Sequence, residues 1–146
     1  FNNLVAGPQL LLDPDGNKLE LHPQDELAPN LRLTLQVNDY AVSERFYATT
    51  IGLQRNDQGH YFVGASEIGM QTGIVGNIPQ KATGFRYMTF QVADVVGEHH
   101  AIVANGGAEG MAPVRLGDVA YISFVCDPDG NWIEISQRKS ITGSLA

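Results

Sequence analysis

The chain has 146 residues, 43% hydrophobic and 17% charged, enough for one globular domain with a sizeable core. Its net charge of −7, with nine scattered basic residues against sixteen acidic ones, argues against nucleic-acid binding, which needs clustered Lys and Arg. The single cysteine, Cys126, excludes an internal disulfide, and no apolar run approaches the roughly eighteen residues of a membrane span.

The sequence begins at Phe1 inside a strand-like stretch and is read as a piece of something longer. No secretory signal pattern opens it, and a cytoplasmic location is expected. Residues 1–22 read as a strand hairpin turning at Asp13-Pro14-Asp15-Gly16-Asn17, where Pro fixes φ, Asp and Asn bond nearby backbone, and Gly takes the positive φ of a tight reversal. Residues 23–30, with Pro23 and Pro29, read as a linker. Residues 31–37 alternate strictly, which predicts a strand with Leu31, Leu33, Leu35 and Val37 toward the core and Arg32, Thr34 and Gln36 on the opposite face. A helix is predicted over 41–50, with Val42, Phe46 and Tyr47 inward and Gly52 closing it. Short strands follow near 53–56, 60–64 and 68–75.

The pattern then restarts. Thr34-Leu35-Gln36-Val37-Asn38-Asp39 matches Thr89-Phe90-Gln91-Val92-Ala93-Asp94 at an offset of 55, and Gly52 matches Gly107. Internal self-similarity of this kind marks a repeated supersecondary unit. The second copy reads as a strand at 86–92, a helix from about 95 to 105 stopped by Gly106 and Gly107, and strands near 111–114, 119–126 and 132–137. The last two flank Asp127-Pro128-Asp129-Gly130-Asn131, a second copy of the first corner at an offset of 114. Cys126 ends an apolar strand, which favours a buried inert thiol over a nucleophile. The fold class is therefore α+β: tandem β-α-β-β-β units, 31–75 and 86–137, forming a concave half-barrel sheet with helices on the outer face. Residues 138–146 read as a tail, frayed from Ser140.

Tandem β-α-β-β-β units, the Val-x-Asp ending each first strand, Phe46-Tyr47, Ile51-Gly52-Leu53 and the closing Asp-Pro-Asp-Gly-Asn-x-Ile-Glu together resemble the vicinal oxygen chelate superfamily over residues 31–137. Its members include glyoxalase I, extradiol dioxygenases and bleomycin resistance proteins. Residues 1–22 resemble the closing hairpin of a preceding module of the same kind. One fold hosts unrelated functions, so activity does not follow from the likeness. The resemblance implies a divalent metal held by the first and last strands of each unit, the first-strand ligand lying seven residues before the motif's Asp. Those positions are Arg32 and Tyr87; the last-strand positions are Glu134 and, with shorter loops in the first unit, roughly Gln71. Arg cannot ligate a cation, and Glu134 alone with a weak Gln71 makes no Zn, Fe or Mn site.

The expected cofactor is accordingly none. In place of a metal, an ion pair of Arg32 with Glu134 is expected in the cup. Arg32, Thr34, Gln36, Tyr87, Thr89, Gln91, Trp132, Glu134 and Ser136 fall by alternation on the concave faces and form the expected site for a small organic ligand. The bland alternative is that part of this surface packs on another module or a dimer mate. Among the histidines, the pair His99-His100 lies mid-helix and cannot chelate from one helix face, whereas His60 is placed at a cup edge. No Ser sits in a nucleophile elbow and no phosphate loop is present.

Three functions follow from this reading. The favoured one is a metal-free ligand-binding domain, as in bleomycin resistance proteins. The second is a lyase or ring-cleaving dioxygenase whose Fe, Mn, Zn or Ni ligands are completed by another module or subunit. The third is a structural module whose catalytic cup lies elsewhere. Unpaired strand edges lead to the expectation of a homodimer or of pairing with a second module.

Overall fold

A computed structural model of the chain describes residues 9–14, 17–21, 31–75 and 86–145. Expectations for 1–8, 15–16, 22–30 and 76–85 lie outside these residues. The repeated corner chemistry gives two hairpins built alike. β1 (Gln9–Leu12) and β2 (Lys18–Leu21) pair antiparallel, and the Asp13 carboxylate accepts hydrogen bonds from the Asn17 N–H and side-chain amide, both at 2.8 Å. At the second corner Asp127 accepts the same two bonds from Asn131, again at 2.8 Å. Leu10 stands opposite Glu20 as Phe124 stands opposite Glu134.

The first unit runs β3 (Leu31–Val37), α1 (Tyr40–Arg45), a wider π-helical turn over Phe46–Thr50, β4 (Tyr61–Val63) and β5 (Ser66–Thr72). Its sheet order is β3-β5-β4, with β3 and β5 parallel. The expected strand near 53–56 shrinks to a single bridge between Arg55 and Tyr61, because Asn56 turns the chain by accepting bonds from Gln58 and His60 N–H. The second unit is complete: β6 (Tyr87–Gln91), α2 (Val95–Ala104), β7 (Ala108–Leu116), β8 (Ala120–Cys126) and β9 (Trp132–Arg138), ordered β6-β9-β8-β7 with β6 and β9 parallel. Gly106, at φ 92°, stops α2. The tail is not frayed from Ser140: Lys139–Thr142 form a short helical turn, α3, closed by Gly143 at φ 79°.

In the second sheet the alternation separates two faces. Met88, Phe90, Val125, Ile133 and Ile135 are buried in one core cluster with Val95 and Ile102 of α2. Tyr61 and Ile68 of the first unit, with Phe46 and Tyr47, join the same cluster. Two positions depart from the sequence expectation. Leu31 is 61% exposed because it opens the strand, and Val42 is 50% exposed while Ser43 takes the inward position. Among the described residues, no helix is long and apolar enough to cross a membrane.

The two units are joined by the second corner. Tyr47 donates its hydroxyl to Asp127 Oδ2 at 2.8 Å, and Asp129 accepts from the Asn38 backbone and side-chain amides and from Ser43 Oγ. Burial, followed by the neighbouring Asp127 charge, pushes the Tyr47 phenol far above its ordinary range, so it stays a donor at every pH the fold meets. Tyr47→Phe deletes this donor beside a buried carboxylate. The expected loss is about 2 kcal/mol, seen in urea unfolding as a lower midpoint at unchanged slope.

Candidate functional site

On the face of the second sheet away from α2, Tyr87 and Thr89 of β6 stand beside Trp132 and Glu134 of β9, and Glu134 stands opposite Phe124 of β8. β9 runs between β6 and β8. The Tyr87 and Phe124 rings nevertheless meet edge to face at 5.3 Å, and Phe124 meets Trp132 at 5.6 Å. The rings therefore arch across β9, and they help to bury Glu134, whose side chain is 6% exposed. Its Oε1 has no hydrogen-bond donor among the described residues, and neither has the buried Ser136 Oγ two residues on. Among the described residues the cation nearest Glu134 is Arg138, reaching back along its own strand to 3.9 Å from Oε1, too far for a hydrogen bond. Gln91 ends the same face of β6, opposite Ser136.

The first sheet places the other predicted residues. Arg32, Thr34 and Gln36 of β3 pair in register with Glu67, Gly69 and Gln71 of β5. The expected Arg32–Glu134 pair does not form: Arg32 gives Nε and Nη2 to Glu67 Oε2, each at 3.0 Å. Glu67 is one rung across the parallel sheet, within direct reach of a guanidinium. The same oxygen accepts from His60 Nδ1 at 3.1 Å, and Asn56 Nδ2 donates to the other at 3.0 Å. Glu67, at 7% side-chain exposure, is thus a saturated buried carboxylate. A carboxylate only accepts, so His60 carries a proton on Nδ1 and donates it to Glu67.

The register also corrects one assignment. Thr89 pairs with Glu134 and its repeat partner Thr34 pairs with Gly69, so the first unit's counterpart of Glu134 is Gly69, and Gln71 corresponds to Ser136. Glycine leaves room there for His60, since a Cβ would stand 3.1 Å from the edge of the ring, closer than an ordinary contact. Sequence reasoning missed Glu67, the partner of both Arg32 and His60. The available signal was Ile68-Gly69-Met70 set against Ile133-Glu134-Ile135, which fixes the register.

The four positions at which the resemblance implies metal ligands are therefore Arg32, Gly69, Tyr87 and Glu134. They offer one carboxylate, one phenol, a cation and no side chain, and this donor set does not fit a divalent metal. Among the described residues no three of His, Cys, Asp and Glu gather as a metal cage. His99 and His100 do not form a site either. His99 is buried and donates Nε2–H to Glu109 at 2.8 Å, while His100 is exposed. Cys126 is partly buried, and desolvation raises its thiol pKa, keeping it protonated and unreactive.

Comparison with known proteins agrees with this architecture. A probable lactoylglutathione lyase of Vibrio parahaemolyticus is 28% identical over 131 residues, 79% of this chain and 94% of that protein. The crystal structure of a glyoxalase/bleomycin resistance protein from Albidiferax ferrireducens superposes with a TM-score of 0.53 at 27% identity, covering 73% of this chain and 96% of the other. A glyoxalase-related enzyme from Fulvimarina pelagi shares the fold at a TM-score of 0.57 and 21% identity, over 74% and 86%. Residues 31–135 match the family model described as Glyoxalase/Bleomycin resistance protein/Dioxygenase superfamily, and the chain belongs to that superfamily.

Proposed function

We propose that this glyoxalase-like domain binds a small organic ligand on the concave face of the second sheet, without the divalent metal used by metal-dependent members of its superfamily. The observation that carries the reading is Glu134: a buried carboxylate under an aromatic arch, with one oxygen lacking a donor among the described residues and Ser136 Oγ in the same condition beside it. Each such group costs roughly 1–3 kcal/mol when left unmade. A ligand carrying N–H donors on a flat apolar body recovers that cost: its donors take Glu134 and Ser136, and its body lies against Tyr87 and Trp132. Arg138, held only loosely, swings aside. Tyr87, Thr89, Gln91, Trp132, Glu134 and Ser136 make up this site. Arg32, Thr34 and Gln36 belong to the first sheet's face, where Arg32 is engaged by Glu67. The protein works in the cytoplasm as a homodimer or beside a second module, whose edge strand completes the cup.

Trp132 is the only tryptophan, so its fluorescence reports on this face. Titration with benzamide and benzylamine is expected to quench it saturably and to raise the thermal midpoint. Glu134→Gln and Tyr87→Ala are each expected to weaken binding about tenfold, or about 1.4 kcal/mol. Wild-type affinity in both variants sinks the assignment. Separately, elemental analysis of the purified protein and calorimetric titration with Ni, Zn, Mn and Fe(II) are expected to find no stoichiometric metal. Tight one-to-one binding replaces this reading with a metal-dependent lyase or dioxygenase completed by another subunit.

A further inference from the structure

The β1–β2 hairpin copies β8–β9 register for register. Leu11, Leu19 and Leu21 take the places of Val125, Ile133 and Ile135, and Leu10 and Glu20 take those of Phe124 and Glu134. The surroundings of the two hairpins differ. β9 carries β8 on one edge and β6 on the other, and Val95 and Ile102 of α2 join Ile133 and Ile135 in the core. β1 and β2 make a sheet of two strands, and among the described residues no strand lies on the outer edge of β2. Leu10 and Leu12 are 65% and 67% exposed, and Leu11 and Leu19 are 48% and 47% exposed. A two-stranded sheet with its apolar side chains in water is marginal by itself, and an open edge is a template for another strand. The outer edge of β2 is the one whose counterpart on β9 is paired, so it is the edge built to accept a strand.

The residues of β2 say which strand fits. They read Lys18-Leu19-Glu20-Leu21, a sequence complementary to itself. Laid antiparallel about a two-fold axis at Leu19, Lys18 stands opposite the partner's Glu20 and Glu20 opposite the partner's Lys18, while Leu19 meets the partner's Leu19 on the other face. Moving the axis to Lys18 or to Glu20 sets that charge against its like. Moving it between two residues sets a charge against leucine and turns the apolar face over. We infer that a second copy of this chain docks on the outer edge of β2 in the Leu19-centred register, joining the two hairpins into one four-stranded antiparallel sheet. The contact is isologous, so it closes on itself as a dimer. Leu11 stands opposite Leu19 within each hairpin, and a row of four leucines therefore crosses the new sheet on one face. On the other face Leu10 and Leu12 flank the two charge pairs, because Leu10 stands opposite Glu20 and Leu12 opposite Lys18. This gives the homodimer proposed above its contact surface and uses no residue of the Glu134 face.

Sedimentation velocity of the full chain, from about 1 μM to about 1 mM, is expected to show a reversible monomer–dimer equilibrium that weakens as salt screens the charge pairs. Lys18→Glu and Glu20→Lys each set like charges face to face at both pairs, and each is expected to weaken association about tenfold or more with unchanged circular dichroism. In a one-to-one mixture of the two variants every cross-strand pair is again opposite in charge, so the mixture is expected to recover wild-type association as a heterodimer. The double variant Lys18→Glu/Glu20→Lys is expected to recover it as a homodimer. A monomer at every concentration, wild-type association in either single variant, or no recovery in the mixture overturns the inference. None of these results bears on ligand binding, which the Trp132 response to benzamide reads separately.

Discussion

The structure depends on one buried carboxylate. Asp127 accepts from the Asp129 and Asn131 backbone amides, from the Asn131 side chain and from Tyr47, so all its lone-pair directions are used at a position only 4% exposed. Three of these bonds close the corner between β8 and β9. The fourth crosses 80 residues to the first unit. A turn that in β1–β2 is local chemistry is here also the joint of the domain, and it fixes where β9 begins. Because side chains alternate with a period of two, that starting point decides which face Trp132, Glu134 and Ser136 occupy. A slip of one residue would bury Glu134 under α2 and put Ile133 and Ile135 on the concave face.

The first unit pays for this joint with an irregular helix. The chain widens into a π-helical turn at Phe46–Thr50, where Phe46, Tyr47 and Thr50 all turn inward. A continuous α-helix spaces its inward positions by three or four, which is how Val42 comes to be expected in the core. From this inward face Tyr47 reaches Asp127, and Ser43, one turn earlier in α1, reaches Asp129. π-bulges recur where a helix must re-aim a side chain for a specific contact.

The α+β class, the two units and nearly every strand were legible in the sequence, because Leu31–Val37, Tyr87–Gln91 and Trp132–Arg138 alternate plainly and both corners carry strong turn residues. The partner of Arg32 was not. Alternation gives a face but no register, and the register of a parallel pair depends on the length and path of the connection between its strands. In the first unit that connection includes the turn around Asn56, whose side-chain bonds to Gln58 and His60 erase most of one strand. Glu67 lay just outside the expected strand, and the role of Gly69 shows only when Thr34 and Thr89 are paired across the repeat. The Glu134 face was read correctly as to which side its residues occupy. Its burial was not foreseen, since it comes from rings on β6 and β8 meeting over β9.

The two faces show how a repeat diverges in chemistry while keeping its backbone. In the second unit the carboxylate stands opposite Thr89; in the first it stands opposite Arg32, two residues earlier on the strand, and glycine takes the place opposite Thr34. Two residues along a strand keep the face and move a side chain about 6.7 Å. That displacement brings Glu67 to a guanidinium and an imidazole and saturates it, whereas Glu134 has an oxygen without a donor among the described residues. The two carboxylates therefore stand at different register positions in the two units. Glycine at 69 then frees the space into which His60 folds. The two-residue offset of one carboxylate between the units thus leaves two separate polar sites, one with its carboxylate saturated and one whose carboxylate has an oxygen without a donor among the described residues.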